Sequence, residues 1–185
     1  MNITKITRAT VALAPIAVLA SALSLSNAQA QTAGKALVMS VYLDAVGGDS
    51  LLAGNYQGAI NEISRRSPTG NLGWLAVATN QCVAYTMTQQ WEQAKSRCDA
   101  AIADARANDA DDVFDFGASR EKRLATAYSN RAVFNWMHND KSAAIADLSK
   151  ARSHAPRLEF VAQNWLVLNQ GSDTAAAPQI ASSRP

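Results

Sequence analysis

The chain has 185 residues, of which 48% are hydrophobic and 17% charged, and its mean hydropathy is −0.10. This composition excludes a protein with several membrane spans and a wholly disordered chain, and the length favours one domain. Alanine is frequent, aromatic residues make up only 6%, and runs of β-branched residues are scarce. The composition therefore predicts a helical domain with small residues at close helix contacts, rather than a β-sandwich or a barrel.

Residues 1–30 have the pattern of a signal peptide. Lys5 and Arg8 precede an apolar stretch, and Ala28 and Ala30 then give the small-x-small pattern that signal peptidase accepts. The alternative is an N-terminal membrane anchor, but the apolar stretch is short for a span of roughly 20 residues. Cleavage after Ala30 predicts a periplasmic or secreted domain of a Gram-negative-type cell, with no stable membrane insertion.

The charge of the remaining chain is balanced. Removal of Lys5 and Arg8 leaves 15 basic residues against 15 acidic ones. A neutral chain has no electrostatic footprint for nucleic acid or for anionic lipid, so the sequence predicts no nucleic-acid partner.

Three interior stretches align on a polar turn that is followed by the start of a helix. They begin at Gly54, Gln89 and Asn139, and each has an alanine five residues after its first residue. Apolar residues of period 3.6 flank the second and third turns, which predicts two helices packed across each turn. These two turns are 50 residues apart because about 16 extra residues lie around 108–123.

The third of these units resembles the tetratricopeptide repeat family. Arg131 stands where that family usually has leucine, a recurrent variant. The first unit is weaker, because Gly47 and Gly48 interrupt its leading helix. The resemblance covers about 40–168 and implies an all-α fold, a short α-solenoid of about three helix-turn-helix repeats. The residues that match are Tyr128, Ala132, Ala144, Leu148, Ala151 and Pro156 in the third unit, and Cys82, Tyr85, Trp91, Ala94, Cys98 and Ala101 in the second.

A last amphipathic segment starts at Pro156, with its apolar stripe at Leu158, Val161, Trp165 and Leu168. It is similar to the extra helix that covers the open face of a last repeat. The repeat domain is therefore expected over 31–169. Residues 170–185 are rich in Ser, Ala, Pro and Gly and are predicted to be a disordered tail.

The two cysteines are predicted to form a disulfide. Cys82 precedes the second turn by about as many residues as Cys98 follows it, so the two lie at nearly the same height in an antiparallel helix pair. Export to an oxidising compartment favours their linkage. The alternative is two independent buried thiols that act as small hydrophobic side chains.

No set of residues indicates catalysis, a metal site or a cofactor. His138 and His154 have no partners at ligand spacing. The acidic cluster within the insert 108–118 lacks the glycine and closing glutamate of a calcium loop, and a solvated loop is the better interpretation. The cluster consists of Asp109, Asp111, Asp112 and Asp115.

The resemblance implies that the leading helix of each repeat lines a concave face. Asn80 and Asn130 occupy equivalent positions there, and their amides could pair with the backbone of an extended peptide, with Trp136 supplying apolar contact. The alternative is that these residues only solvate or pack the groove. The predicted face comprises Thr79, Asn80, Val83 and Met87 from the second unit, and Ser129, Asn130, Val133, Trp136 and Met137 from the third.

The leading hypothesis is therefore a non-enzymatic exported scaffold that binds a peptide or protein partner in this groove. The alternative is a self-associating structural protein, such as a homodimer. It would use Phe160, Leu166 and Val167, which lie off the predicted buried stripe of the last helix. An enzyme is disfavoured because the sequence supplies no convergent catalytic set.

Overall fold

The computed structural model describes residues 36–66, 70–107, 119–169 and 177–182, of which residues 70–72 are described by their backbone only. The predicted signal peptide and the acidic insert 108–118 lie outside the described residues. Within the described ranges the chain forms seven α-helices and two short strands. The predominantly helical fold that the sequence predicts is confirmed.

Neighbouring helices pack in chain order. Helix α3 packs against α4, α4 against α5, α5 against α6, and α6 against α7, while strand β1 contacts α3, α5 and α7. The strand therefore runs across every second helix of the array. The elements are β1 (Val38–Val41), α1 (Gly48–Leu52), α2 (Tyr56–Arg65), α3 (Gly70–Met87), α4 (Trp91–Ala107), α5 (Arg120–Met137), α6 (Lys141–His154), α7 (Glu159–Asn169) and β2 (Gln179–Ser182).

The three turns aligned in the sequence share one backbone geometry. Gly54, Gln89 and Asn139, the first residue of each turn, have φ angles of 75°, 58° and 65°. This left-handed conformation ends the preceding helix. In the first and third turns the next residue, Asn55 or Asp140, caps the following helix with a side-chain oxygen that accepts a hydrogen bond from a backbone N–H three residues later.

Small residues lie where the paired helices meet. Ala94, Ala105, Ala132 and Ala144 have no exposed surface, which matches the predicted alanine contacts. Cys82 in α3 and Cys98 in α4 are joined by a disulfide with their Cα atoms 4.7 Å apart. The pairing predicted from the equal heights of the two cysteines agrees with this geometry.

The start of the domain differs from the sequence-based expectation. A leading helix was expected from about residue 40, but residues 38–41 form β1 and the five-residue helix α1 follows a turn. Gly47 has a φ of 82°, and a Cβ on Gly48 would lie only 2.4 Å from the carbonyl oxygen of Tyr42. The glycine pair that interrupts the helical pattern thus lets the chain reverse tightly from β1 into α1.

The prediction of a disordered tail over 170–185 is wrong for residues 179–182. Residues Gln179–Ser182 form β2, which pairs in parallel with β1 in the register Val38↔Gln179 to Val41↔Ser182. Composition did not reveal this strand because its partner is distant in sequence. An unpaired strand edge supplies donors and acceptors to a polar segment as readily as to an apolar one.

Helix α7 also requires a correction. Val167 was expected on the outer surface, but only 2% of it is exposed, and Phe160 is half-buried against the core. Leu166 is 44% exposed. The predicted buried residues Val161 and Leu168 are buried, so α7 packs more than one stripe of its surface.

Candidate functional site

Three asparagines, one from each of α3, α5 and α7, bind the backbone of the strand segment 36–42. The Oδ1 atoms of Asn164, Asn130 and Asn80 accept hydrogen bonds from the N–H groups of residues 38, 40 and 42, at 2.7, 2.8 and 2.9 Å. Their Nδ2 atoms donate to the carbonyl oxygens of the same three residues, at 2.8, 2.7 and 2.9 Å. We call these three residues the asparagine ladder.

Strand geometry explains why the ladder contacts alternate residues. In an extended strand the N–H and C=O of one residue point to the same edge, and those of the next residue point to the opposite edge. An asparagine amide has one acceptor and one donor side by side, so it pairs with a whole residue as a neighbouring strand would. The three helices therefore act together as the missing strand along one edge of β1.

The segment that the ladder holds is part of the core. Residues 36–42 are each at most 6% exposed, and Leu37, Met39 and Val41 are at most 1% exposed. Burial of each such side chain stabilises a fold by about 1.5–3 kcal/mol. The helix face predicted to bind a peptide is thus covered by the chain's own residues 36–42, which supply both apolar side chains and backbone hydrogen-bonding groups.

Four other residues of the predicted face are buried beside the ladder. Thr79, Val83, Ser129 and Val133 are each at most 1% exposed. Nδ2 of Asn164 donates its second hydrogen bond, at 3.0 Å, to the hydroxyl oxygen of Ser129. The structure therefore brings these residues together with Asn80 and Asn130 as predicted, but under the chain's own segment and away from solvent.

The remaining three predicted residues lie at helix ends. Met87 and Met137 are the last residues of α3 and α5, and both are half-buried. Trp136 is also half-buried, with Nζ of Lys141 lying 5.2 Å from its ring centroid. Their described contacts are with the helical core, so the structure does not assign them to the ladder.

Sequence reasoning missed Asn164 and its neighbour Gln163, whose Nε2 donates to the carbonyl oxygen of Ala36 at 2.8 Å. A signal was available, because Asn164 follows Asn130 by 34 residues, one length of the resembled repeat. Asn80 and Asn130 are 50 residues apart, and the insert accounts for the difference. The pattern of α7 is dominated by its apolar residues, among which this asparagine is not distinctive.

The opposite edge of β1 is paired with β2. The backbone N–H of Gln179 donates to the carbonyl oxygen of Leu37 at 2.8 Å. Gln179 is exposed, the other three residues of β2 are half-exposed, and Ile180 alone is packed against the core. The two edges of β1 thus have different environments. One edge is hydrogen-bonded to buried asparagines of the helices, and the other is covered by the partly exposed strand β2.

A charged cluster joins α4, α5 and α6 apart from the ladder. Arg131 donates to both carboxylate oxygens of Asp147, at 2.7 and 2.8 Å, and to Asp99 at 2.6 Å. Burial raises the pKa of Asp99, but hydrogen bonds from Lys95 and Arg131 outweigh it and hold that pKa below its usual value. The hydrogen bonds to Asp147, ahead of the opposing effect of burial, raise the pKa of Arg131. Arg131 thus joins three helices through its two carboxylate partners.

A cavity of about 240 Å³ lies among α2, α3 and α4. Its lining combines apolar and charged side chains, and burial raises the pKa of Asp104, one of the lining residues. None of the residues that line this cavity belongs to the asparagine ladder. The lining residues are Ile63, Arg66, Trp74, Val77, Ala78, Gln81, Arg97, Ala100 and Asp104.

Two further observations concern the described ranges alone. No helix there is both long and apolar enough to cross a membrane. No group of three or more histidine, cysteine, aspartate or glutamate residues is placed there to hold a metal ion.

No family model, curated protein or solved structure matches the chain.

Proposed function

We propose that the protein is a non-enzymatic, exported scaffold of the tetratricopeptide-repeat type that binds a protein partner through an extended segment. Its binding region is centred on the segment 36–42, which side chains of α3, α5 and α7 hold in an extended conformation. The observation that carries this proposal is the asparagine ladder, because it holds one segment of the chain extended and so presents a strand to which a partner's extended segment can bind.

Two regularities support the repeat interpretation. The three aligned turns share a left-handed first residue. Asn130 and Asn164 are one repeat length apart and make the same pair of hydrogen bonds to residues two apart in β1. A short solenoid of about three helix pairs, with α7 as its cap, would produce both regularities.

The proposed location is the periplasm or the extracellular space. The pattern of residues 1–30 supports export, and so does the disulfide, since such bonds persist mainly in oxidising compartments. N-terminal sequencing of the native protein tests this location. We expect it to begin at Gln31, and retention of Met1 would contradict the signal-peptide interpretation.

Site-specific photo-cross-linking in the native cell tests the partner-binding role. Asp44 is exposed and lies three residues after the end of β1, so a photo-reactive amino acid there should capture a partner at this region. Ser149, exposed on α6, is the matched control. We expect a discrete adduct from position 44 and none from position 149. Identical adducts from both positions, or none from either, would count against the proposal.

Self-association through α7 has less support. Of the three apolar residues that suggested it, Val167 is buried and Phe160 is half-buried, which leaves Leu166 as the exposed member. One exposed leucine is ordinary on a protein surface. The alternative remains testable by light scattering of the mature protein, where a mass above that of one chain would favour it.

A further inference from the structure

The inference concerns the edge of β1 that faces away from the asparagine ladder. At the ladder, each of three residues of the segment 36–42 makes two hydrogen bonds to side chains that are at most 1% exposed. At the other edge, β1 pairs with four residues of which none is fully buried. The ladder therefore fixes β1 independently of β2, and removal of β2 would expose a strand edge that is already in the right conformation.

We infer that this outer edge is a strand-addition site, and that β2 is an intramolecular competitor that a partner's extended segment displaces. The partner segment pairs in parallel with β1 in the same register. The inference rests on the proposed function and names its partner class and its regulation. A fixed edge binds without the ordering cost that a mobile strand would add, which favours recognition by strand addition.

The side chains of β2 define the chemistry of the displacing segment. Ile180 packs against the core, and Ser182 lies on the same face because side chains alternate along a strand. Gln179 and Ala181 point to the other face. A partner with apolar residues at both the 180 and 182 positions would bury more surface than β2 does. The expected partner is therefore an extended segment of another protein with two apolar residues spaced two apart.

A second copy of this chain is the less favourable occupant. Its tail would make the same contacts as the resident β2, but it would also lose translational freedom on binding. The resident strand is tethered to α7 and competes at an effective concentration of about millimolar order, so an identical free segment does not displace it. Only a segment that fits better than β2 overcomes this competition.

Fluorescence anisotropy with synthetic peptides and the full mature protein tests the inference. The first probe has the sequence of residues 177–185, the second carries Ser182→Val, and the third carries Ile180→Asp. The protein is tested as wild type, as Ile180→Asp, which should release β2, and as Gln179→Asp. The last is the matched control, since it places the same charge at the adjacent exposed position.

We expect the Ile180→Asp protein to bind the first probe at least about tenfold more tightly than wild type, because more of it has an open edge. The Gln179→Asp protein should bind as wild type does. The second probe should bind about fivefold more tightly than the first, and the third probe should not bind.

Equal or absent binding to folded wild-type and Ile180→Asp proteins would overturn the inference. If Ile180→Asp fails to fold, Ala181→Pro provides a second way to open β2, because it removes a backbone donor from the strand. Unfolding of both variants would show that β2 is an essential part of the core and would also overturn it. Concentration-dependent dimers of wild type that Ile180→Asp abolishes would identify a second copy as the occupant instead. A cross-link from position 44 without probe binding would leave the proposed function standing and remove only strand addition.

Discussion

Asn130 and Asn164 are separated by 34 residues of sequence and bind backbone positions only two residues apart, at Ser40 and Val38. Each uses both ends of its amide on one residue of β1. A separation of 34 residues along the helices thus corresponds to the two-residue repeat of the strand. In this way two helices hold an extended segment by its backbone, in addition to the burial of its apolar side chains.

The first prediction concerns the ladder. Asn130→Ala should lower the free energy of unfolding by at least about 2 kcal/mol, because the N–H and C=O of Ser40 are left buried without partners. Chemical denaturation measures the change. Asn169→Ala, at an exposed asparagine in α7, should change stability by less than about 0.5 kcal/mol.

A companion change separates backbone from side-chain recognition. The buried Ser40 hydroxyl has no hydrogen-bond partner among the described residues, so Ser40→Ala should be neutral or slightly stabilising. A loss as large as that of Asn130→Ala would mean that the serine side chain, and not the ladder, determines the docking of β1.

The second prediction concerns the disulfide between α3 and α4. Intact mass spectrometry after alkylation without reductant should find no modified thiol in the native protein. Replacement of both Cys82 and Cys98 by alanine should lower stability by about 3 kcal/mol, as expected for a closed loop spanning 16 residues. Two alkylated cysteines in freshly isolated protein would contradict the linkage.

The third prediction concerns the close helix contacts. Ala144 is fully buried in α6, and Ala144→Leu should overpack the contact and cost about 1–3 kcal/mol. Ala146, exposed on the same helix, provides a control of identical chemistry. Thermal denaturation should show a clear loss of melting temperature for Ala144→Leu and almost none for Ala146→Leu. Equal melting temperatures would refute the assigned contact.

The fourth prediction concerns pH and Asp99. The pKa of Asp99 in the folded state lies below its ordinary value, so folding favours the ionised carboxylate. Its stabilising contribution is therefore present above the unfolded pKa of about 3.9 and is lost as the pH falls through the folded-state pKa. The stability difference between wild type and Asp99→Asn, measured by denaturation from pH 7 to pH 2, should shrink on acidification. A difference that grows towards acid pH would show the opposite sign.

The helical elements were predictable because their signals are local. The turns at Gly54, Gln89 and Asn139 and the period of the flanking apolar residues are set by neighbours within a few positions. The pairing of Cys82 with Cys98 follows from the length of two helices and the turn between them. Six of the nine residues of the predicted face also lie together at the ladder, because a regular helix fixes their register.

The strands were not predictable in the same way. The run from Leu37 to Tyr42 is short and apolar, and such a run is compatible with a buried strand or with part of a buried helix. Its conformation depends on Asn80, Asn130 and Asn164, which lie 38 to 126 residues away from their partners. Strand β2 forms by pairing with β1, so its own composition does not distinguish it from a disordered tail.

The two-residue period of the ladder has a consequence for the length of the segment 36–42. Deletion of one residue within β1 would exchange its two edges, so that the groups now bound by asparagines would face β2. Deletion of two residues would restore the alternation and leave only one asparagine without a residue to bind. The segment should therefore tolerate changes of length by even numbers of residues better than by odd numbers, a parity that a helix in the same position would not have.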